Sequence, residues 1–515
     1  AAESSQMAEL LTRHGFPESE IADASQVLAR WSGNRLRALR SERAHALLRA
    51  QLSSFLASFG KRSSPLACLR RFDALLTRQH AGVQLLSLFE RNPELIDRIA
   101  SIFDALAFLA DHLADTPSAL EGLLDSDPEE NRGVVDRLLH LAEEAEDVEG
   151  LLSVLRPLLR GEEFRLSVAL LEGRLSEDAA EHARTLLADT IMIVLRKAVE
   201  REHIRRYGRV PGGGMAVVAL GKAGSREMMP GSDLDLLMVY NHPPDSQASV
   251  VPARAPGGAR SLAVGAYYTR LAHTFIAALT APGPEGPLYA VDMRLRPSGA
   301  AGPVAVSRDA FLRYHAETAW TWESMALTRA RIVSAPVALG RVLRADLARI
   351  LDGSIRPERV ARATLLADAN TMRARLAREL PPTSVWDVKR RAGGLMEVEF
   401  VAQILQLCAG RAAARSTETR LALGRLVRVG ELSAQDGAVL IEAESFWRRL
   451  QALLRLLCGP VPPQDLEKDL APTALAVLLR GMGKPDLAAL IEKSSLLARA
   501  VQQSFGRLVG PSGAE

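Results

Sequence analysis

Residues 215–240 read MAVVALGKAGSREMMPGSDLDLLMVY, and this stretch decides the fold. It contains two short apolar runs, 215–220 and 234–240, which are partly β-branched and have glycines close to them. Such runs are typical of buried strands, so we predict one strand at each. We interpret the three glycines at 212–214, just before the first run, as a plain turn.

A third strand is predicted at residues 288–295 (LYAVDMRL), where Pro297 would end it. Upstream of it, residues 242–260 are rich in Pro, Gly and Ser and predict a mobile surface loop. Residues 262–279 have the periodicity of a helix. The centre of the chain therefore combines strands and helices.

Helical patterns occupy both flanks of this centre. In the first flank, Thr116 with Pro117 predicts the start of one helix. In the second, Ser433 and Asp436 resemble a capping box, and Gly459 ends the helix that follows. We predict an α+β, mostly helical chain with three regions, namely an N-terminal helical region at 1–180, a central sheet domain at 181–345 and a C-terminal helical bundle at 346–515.

Composition and charge limit the possible functions. Of 515 residues, 48 % are hydrophobic and 24 % charged, and no apolar run has the length of a membrane span. The net charge of +3 gives no sign of a nucleic-acid partner, and none is expected. Cys68, Cys408 and Cys458 form no CxxC pair, so we expect buried thiols, a reducing compartment and a cytoplasmic location. The missing initiator Met indicates a fragment or a processed chain, and its start resembles no signal peptide.

Asp233 and Asp235 form the most informative pattern. They lie two residues apart at the start of a strand, so both carboxylates point to one face. Two carboxylates that close repel each other unless a cation lies between them, and their hard oxygens suit Mg²⁺. Gly231 and Ser232 precede them and offer small side chains and backbone N–H groups where a triphosphate could approach.

Asp292 is the candidate third acid. Strand alternation places it on one face with Arg294 and Arg296. Beside a metal–phosphate cluster, the acid would ligate metal and help to deprotonate an attacking group, while the arginines would neutralise phosphate charge. Together with the acidic pair, this favours nucleotidyl transfer from a nucleoside triphosphate. The alternative is a solvated pair of carboxylates salt-bridged to the two arginines, which leaves the Gly-Ser pair unexplained.

Other patterns give less. Gly221-Lys222-Ala223-Gly224 matches neither a Walker A loop nor GxGxxG, although Lys222 is a candidate nucleotide contact. The ten histidines show no ligand spacing, and no serine–histidine–acid arrangement has support.

Four blocks of sequence are similar to the motifs of one bacterial family. They are GKAGSREMMPGSDLDLLMVY (221–240), LYAVDMRLRPSGAAGPVAVS (288–307), AWTWESMALTRARIV (319–333) and DVKRRAGGLMEVEF (387–400). In this order they resemble glutamine synthetase adenylyltransferase. That family's full-length enzyme has two related halves, one attaching AMP to a tyrosine of glutamine synthetase and one removing it by phosphorolysis. This chain carries one set of blocks and looks more like the C-terminal, adenylylating half.

The resemblance implies a nucleotidyltransferase (polymerase-β-like) mixed sheet, ATP as substrate and Mg²⁺ as cofactor. It also implies glutamine synthetase and the signalling protein PII as partners, without locating a PII or glutamine site. It gives the metal-ligand role to Asp233, Asp235 and Asp292, the phosphate-approach turn to Gly231 and Ser232, and the basic pair to Arg294 and Arg296.

Further residues of the blocks have two interpretations each. Arg329 and Arg331 would contact nucleotide or pair with Glu323 in a network that braces the domain. Trp320 and Trp322 are interpreted as core or domain-interface residues rather than a platform for base stacking.

Three charged residues of the last block are similarly ambiguous. Lys389, Glu397 and Glu399 belong either to the site or to a solvated helix face. Glu397 stands where the family pattern has aspartate, so its longer side chain could shift whatever it contacts.

Three alternatives to adenylylation stay open. The deadenylylating half would use the same acids with phosphate as nucleophile. A nucleotidyltransferase with another acceptor would modify a small molecule or an RNA end, and the modest net charge speaks against RNA. A non-catalytic regulatory module would bind partners through its helices, and the intact acids speak against it.

Overall fold

The computed structural model describes most of the chain. The described residues are 2–32, 36–79, 81–105, 131–253 and 258–510, together with 109, 110, 113, 119 and 120. The predicted helix start at Thr116 and Pro117 lies outside them, as do residues 254–257 of the predicted loop.

The chain forms two compact units. One contains Ala1–Asp127, Arg160–Leu171 and Leu453–Pro485. The other contains Pro128–Leu159, Glu172–Ala452 and Asp486–Glu515, and it holds all the candidate site residues. The predicted division into three regions stays a prediction.

The first unit is built from helices around aromatic side chains. Its N-terminal helices are α1 (Ala2–Arg13), α2 (Glu18–Ser32), α3 (Glu42–Gly60), α4 (Pro65–Arg78), α5 (Gly82–Arg91) and α6 (Glu94–Ala105). Phe55 lies at their centre, with ring centroids 4.4 Å from Phe72 and 5.2 Å from Phe89. All three rings are buried, and such contacts add to the hydrophobic stabilisation of the unit.

The second unit contains a five-stranded mixed sheet. Helices α7 (Asn131–Glu144), α8 (Val148–Leu171) and α9 (Glu177–Tyr207) precede the sheet in the chain. The strands are β1 (Gly214–Ala219), β2 (Leu234–Asn241), β3 (Val291–Asp292), β4 (Ala305–Ser307) and β5 (Arg331–Ser334). Their order is β3-β2-β1-β5; β1 is antiparallel to β2 and β5, and β2 is parallel to β3 and β4. The predictions of strands at 215–220 and 234–240 and of the α+β fold class are confirmed.

The third predicted strand, 288–295, was wrong in its extent. Only Val291 and Asp292 pair with β2, and the chain then leaves the sheet until β4 resumes on the same edge. The cause is local, because the Asp292 carboxylate accepts a hydrogen bond of 2.8 Å from the backbone N–H of Arg294 and turns the chain. Pro297, which has no N–H to donate, follows in the segment between β3 and β4, which we call the excursion.

Helices cover both faces of this sheet. Leu234, Leu236 and Met238 pack on one face with α9 and with α11 (Val264–Thr280), which confirms the predicted helix at 262–279. A short helix, α10 (Gly221–Ser225), follows β1. Leu237 and Val239 pack on the other face with α12 (Arg308–Glu317), α13 (Thr321–Leu327) and α14 (Val337–Leu351). Because side chains alternate, Asp233 and Asp235 belong to this second face.

The C-terminal part is helical, as predicted. Its helices are α15 (Arg362–Glu379), α16 (Leu395–Ala409), α17 (Thr419–Arg428), α18 (Ala434–Cys458), α19 (Leu466–Asp469), α20 (Pro472–Gly481) and α21 (Leu487–Leu508). Ser433 caps α18, since its hydroxyl accepts the Asp436 N–H at 3.0 Å. The second hydrogen bond of the predicted capping box, from the Ser433 backbone N–H to the Asp436 side chain, is replaced. The Asp436 carboxylate instead accepts hydrogen bonds from the hydroxyls of Ser433 and Ser504.

The cysteines are unpaired thiols. Cys68 is buried as predicted, and burial raises its pKa to about 12, whereas Cys408 and Cys458 are only half-buried. Within the described ranges, no helix has both the length and the apolar character that a membrane crossing needs.

Candidate active site

The start of the site is a close approach between Gly221 and Asp235. Gly221 has φ of +51°, and a Cβ added to it would lie 2.0 Å from Oδ2 of Asp235. The backbone N–H of Leu220 donates to the carbonyl of Asp235 at 2.9 Å, which fixes the two segments side by side. Only glycine combines this left-handed backbone with the space that the carboxylate occupies.

Asp235 and Asp292 lie directly opposite each other in the sheet. They are register partners in the parallel pair of β2 and β3, so their side chains share a face. Burial, together with the charges of Asp233 and Asp292, raises the pKa of Asp235 to about 6. Like charges placed in this way destabilise a sheet unless another group compensates them.

Arg294 compensates one of these charges. Its guanidinium donates to both carboxylate oxygens of Asp292, from Nε to Oδ1 at 3.1 Å and to Oδ2 at 2.8 Å, and from Nη2 to Oδ2 at 2.5 Å. These hydrogen bonds hold the pKa of Asp292 below its usual value. The Arg294 side chain is 82 % exposed, so it is free to exchange this carboxylate for another anion.

Arg296 does not share that arrangement. The predicted alternation of Asp292, Arg294 and Arg296 was wrong, because the strand ends at Asp292. The Arg296 guanidinium instead donates to the carbonyls of Met293 at 2.8 Å and Gly302 at 3.1 Å. It therefore holds the shape of the excursion between β3 and β4.

Gly231 and Ser232 form a tight turn before the acids. The Ser232 hydroxyl accepts the Met229 N–H at 3.0 Å, and the Ser232 N–H donates to the Met229 carbonyl at 3.1 Å. Gly231 has φ of +64°, and a Cβ added to it would meet nothing within 4 Å, so it faces open space. The Ser232 side chain braces the turn, and Gly231 leaves room beside the acids.

The donor set of Asp233, Asp235 and Asp292 suits a hard divalent cation. Three carboxylates provide the oxygen ligands that Mg²⁺ prefers, and their repulsion would be relieved by it. In the part of the chain that the structure describes, no three His, Cys, Asp or Glu side chains are already arranged around one metal position. Asp292 has both oxygens on Arg294, so it must release that guanidinium to join such a site.

Lys222 and Lys389 bring positive charge to the same place. The positive charge of each ammonium group opposes the rise in the pKa of Asp235 and contributes to the lowered pKa of Glu399. Lys389 lies in the loop between α15 and α16, far from the sheet in sequence. Lys389 is therefore not part of a helix face, and its membership of the site stays a prediction.

Arg329 and Arg331 are engaged with partners other than Glu323, so the predicted Glu323 pairing was wrong. Arg329 is buried and contacts Glu399 at 3.1 Å and the Thr419 hydroxyl at 2.8 Å. Glu323 instead accepts the Tyr314 hydroxyl at 2.8 Å.

Arg331 holds α10 in place. Its guanidinium makes a bidentate pair with Asp189 of α9, at 2.5 and 2.8 Å, and donates to the carbonyl of Ala223 at 2.7 Å. Arg329 lines the cavity described below, whereas Arg331 is not among the cavity-lining residues. The sequence offered no signal for Asp189, which lies 142 residues from Arg331.

A buried charge network lies behind Arg329. Arg448 of α18 contacts Glu227 at 2.8 Å, Glu444 at 2.8 Å and also Glu181 of α9. Burial raises the pKa of Glu227 and of Glu444. Arg329 joins this network through Glu227, at 3.6 Å. The network therefore ties the C-terminal helices to the segment that follows α10.

Glu397 has a structural contact rather than a place in the site. It is fully buried and pairs with Arg373 at 2.9 Å, and it also accepts the Gly393 N–H at 3.0 Å. The solvated-face interpretation of Glu397 was therefore wrong.

A cavity of about 430 Å³ adjoins the acids, which is a size typical of ligand sites. Gly221, Asp235 and Asp292 are among its lining residues. The remaining wall comes from the excursion after β3 and from three packed helices, with Arg294, Leu295, Trp322, Met325, Ala326, Arg329, Met372, Leu376, Phe400 and Gln403. Sequence reasoning missed the contribution of α15 and α16, although their apolar residues three or four apart were a usable signal.

The two tryptophans of the third block differ. Trp322 lines this cavity, whereas Trp320 is 69 % exposed. The core interpretation was therefore wrong for Trp320, because it precedes α13 and its side chain extends into solvent.

A small mixed sheet with helices on both faces, acids on two neighbouring strands and a cavity beside them defines the class as an α+β, nucleotidyltransferase-like fold. The family model for glutamate-ammonia ligase adenylyltransferase matches residues 96–342, and the model for GlnD PII-uridylyltransferase matches residues 367–509.

Curated relatives match almost the whole chain. The bifunctional glutamine synthetase adenylyltransferase/adenylyl-removing enzyme of Brucella suis biovar 1 (strain 1330) is 35 % identical over 508 residues, which are 98 % of this chain and 50 % of that protein. The protein of the same name from Agrobacterium fabrum (strain C58 / ATCC 33970) is 34 % identical over 516 residues, with coverage of 98 % and 50 %. Over almost its whole length the chain is similar to enzymes of the glutamine synthetase adenylyltransferase family, as its four sequence blocks predicted. It spans about half the length of the curated relatives it matches.

Proposed function

We propose that this chain transfers AMP from ATP to a tyrosine of glutamine synthetase and releases pyrophosphate. The observation that carries the proposal is the register pairing of Asp235 with Asp292, two residues after Asp233, beside a cavity of ligand size. Opposed carboxylates are costly in a purely structural sheet, and they are useful where a polyphosphate and its cation bind. The names of the relatives support the acceptor.

In the proposed reaction, the tyrosine hydroxyl attacks the α-phosphorus of ATP. A bond forms between the phenolic oxygen and phosphorus, the bond from phosphorus to the bridging oxygen breaks, and pyrophosphate leaves with that electron pair. The phenol titrates near 10, so it needs a proton acceptor at neutral pH, a role we give to Asp292. An aspartate is ionised at that pH, and Asp292 becomes available to the phenol when the exposed Arg294 side chain leaves it.

The cationic side chains bind the phosphates in this account. The positive charges of Lys222 and Lys389 act on Asp235. Arg294 is exposed and able to turn toward a phosphate. Gly231 leaves room for the approach of the triphosphate. Mg²⁺, held by Asp233, Asp235 and Asp292, would supply Lewis-acid polarisation of the phosphoryl oxygens.

Phosphorolytic removal of AMP from glutamine synthetase is the second candidate. It is favoured by one observation, namely that the relatives carry both activities in one name and this chain spans half their length. The same acids would serve it, with inorganic phosphate in place of the phenol. We propose the adenylylating half on the resemblance of residues 231–235 and 320–323 to that half.

Control by PII is a further part of the proposal. The match of residues 367–509 to the PII-uridylyltransferase model supports it, and this segment contributes α15 and α16 to the cavity wall. The three free cysteines suit a reducing compartment, and we propose a cytoplasmic location.

Two assays with the purified chain test the function. Unmodified glutamine synthetase is incubated with α-labelled ATP and Mg²⁺, and adenylylated glutamine synthetase is incubated with phosphate. We expect label on a glutamine synthetase tyrosine in the first and no ADP in the second. ADP release without labelling would instead assign the adenylyl-removing role, and transfer only to a non-protein acceptor would overturn both.

A further inference from the structure

We propose that the apolar wall of the cavity binds the adenine ring of the donor nucleotide, and that Gln403 selects adenine over guanine. This inference rests on the proposed function, because it takes the acids as the site of the phosphates. It assigns a role to residues of α13, α15 and α16 that the transfer chemistry leaves unused.

The lining of the cavity contains two kinds of side chain. Asp235, Asp292, Arg294 and Arg329 are charged, whereas the side chains from the three helices are almost all apolar. A nucleoside triphosphate has the same division, with charge at the phosphates and a flat, weakly polar base. A nucleotide that places its phosphates at the acids would therefore have its base against the helices.

Helix periodicity places the apolar side chains of this wall on the faces that line the cavity. Trp322 and Met325 are three residues apart on α13, and Met372 and Leu376 are four apart on α15, so each pair presents one helix face to the cavity. Trp322 supplies an indole on which a base can stack, and methionine side chains adapt to a flat ring. Neither phosphate nor Mg²⁺ binds to such an apolar surface.

Gln403 is the polar exception in this wall. It lies three residues after Phe400 on α16, and in the described structure its amide makes no hydrogen bond. Gln403 is half-buried, so its carboxamide is accessible to a ligand that offers one donor and one acceptor side by side. At its N6–N7 edge adenine offers this pair, whereas guanine presents two acceptors, O6 and N7, on the same edge.

Equilibrium binding with four ligands tests the assignment. The affinities of Mg-ATP, Mg-GTP, Mg-AMP and Mg-tripolyphosphate are measured for the wild type, Gln403→Leu and Gln403→Glu. We expect the wild type to prefer ATP over GTP by roughly tenfold or more, as one bidentate contact allows. Gln403→Leu should lose most of that preference and keep its affinity for tripolyphosphate. Gln403→Glu, which accepts hydrogen bonds only, should weaken ATP binding because it cannot donate to N7, and so narrow the preference.

Gln503→Leu is the matched control, because Gln503 is an exposed glutamine on α21 outside the cavity. It should bind all four ligands as the wild type does. A second readout is tryptophan fluorescence, which Mg-ATP should quench and tripolyphosphate should not, with the quenching lost in Trp322→Phe. The variants are first compared in free energy of unfolding, and Gln403→Glu serves if Gln403→Leu does not fold.

The outcomes separate this inference from the proposed function. If AMP transfer to glutamine synthetase is intact and the Gln403 variants keep the wild-type ratio of ATP to GTP affinity, the adenine assignment is overturned alone. If the wild type binds neither nucleotide and transfers no AMP, the adenine assignment and the proposed function are both overturned. Loss of ATP preference with unchanged tripolyphosphate affinity supports both.

Discussion

The carboxylate of Asp235 occupies the space that a side chain at Gly221 would need, with Oδ2 2.0 Å from the position of an added Cβ. The turn after β1 and the acid on β2 therefore constrain each other. A glycine with a left-handed backbone permits the carboxylate to lie at the floor of the cavity, where burial and two neighbouring acids raise its pKa. The geometry of the proposed site depends on this contact.

Gly221→Ala should abolish tight Mg-ATP binding, because the new methyl group displaces the Asp235 carboxylate. Gly430→Ala is the matched control, since Gly430 also has a positive φ, of +79°, but nothing within 4 Å of an added Cβ. Both variants should lose about 1 kcal/mol of stability from backbone strain. Calorimetric binding and denaturant unfolding measure the two effects. Equal ATP affinities for the two variants would contradict the role of the contact.

Asp235→Asn should change how stability depends on pH in the metal-free protein. The pKa of Asp235 is about 6 in the folded state against 3.8 for an unperturbed aspartate, so the folded state binds more protons between these values. Stability of the wild type therefore falls as pH rises through this window, by about 1–3 kcal/mol from this group. The asparagine variant lacks that fall.

The measurement is the free energy of unfolding at several pH values from 4 to 7.5 with EDTA present. Asp245→Asn, at an exposed position, should follow the wild type. Adding Mg²⁺ at pH 7.5 should then stabilise the wild type and the Asp245 variant but not Asp235→Asn. Parallel pH profiles for all three proteins would show that Asp235 is an ordinary surface acid.

Arg294→Ala should raise the affinity for Mg²⁺ and also raise the KM for ATP. Freed from its guanidinium partner, Asp292 should bind Mg²⁺ about two- to tenfold more tightly, while the KM for ATP should rise because a phosphate contact is lost. Arg341→Ala removes another exposed arginine, on α14, and should change neither. Steady-state kinetics at varied Mg²⁺ and ATP separate the two effects. A lower KM for ATP would mean that Arg294 blocks the site rather than serving it.

Arg331→Met should act mainly on stability. Breaking the pair with Asp189 leaves a largely buried carboxylate without its partner, which costs about 2–4 kcal/mol. In the double variant with Asp189→Asn, the loss should be smaller than the sum of the single losses by about 1–3 kcal/mol. Denaturant unfolding of the four proteins measures this coupling. If the single variant kept its stability and lost only ATP affinity, Arg331 would be a nucleotide contact, as one interpretation of the sequence held.

Much of the fold was predictable where local pattern decides it. The runs at 215–220 and 234–240 are strands because every second side chain enters one of two cores, and apolar sequence records that directly. Asp233 and Asp235 flank Leu234, the first residue of such a strand, so a shared face is predicted from alternation alone. The family was recognisable because four blocks of residues occur in one order.

The rest depended on contacts that no local pattern records. The third strand ends at Asp292 because its carboxylate bonds the Arg294 backbone, a choice that hydrophobicity does not reveal. Arg329 contacts Thr419, 90 residues away, and not the nearby Glu323. The cavity wall at Met372 and Gln403 exists only after distant helices pack against the sheet.

The most direct test of the central claim is single-turnover transfer of label from α-labelled ATP to glutamine synthetase by the wild type, Asp235→Asn, Asp292→Asn and the control Asp245→Asn. Label should appear on a tyrosine with the wild type and the control. Transfer should fall by roughly 1,000-fold or more with either site variant, each still folded. Near wild-type transfer by folded Asp235→Asn or Asp292→Asn would contradict the central claim.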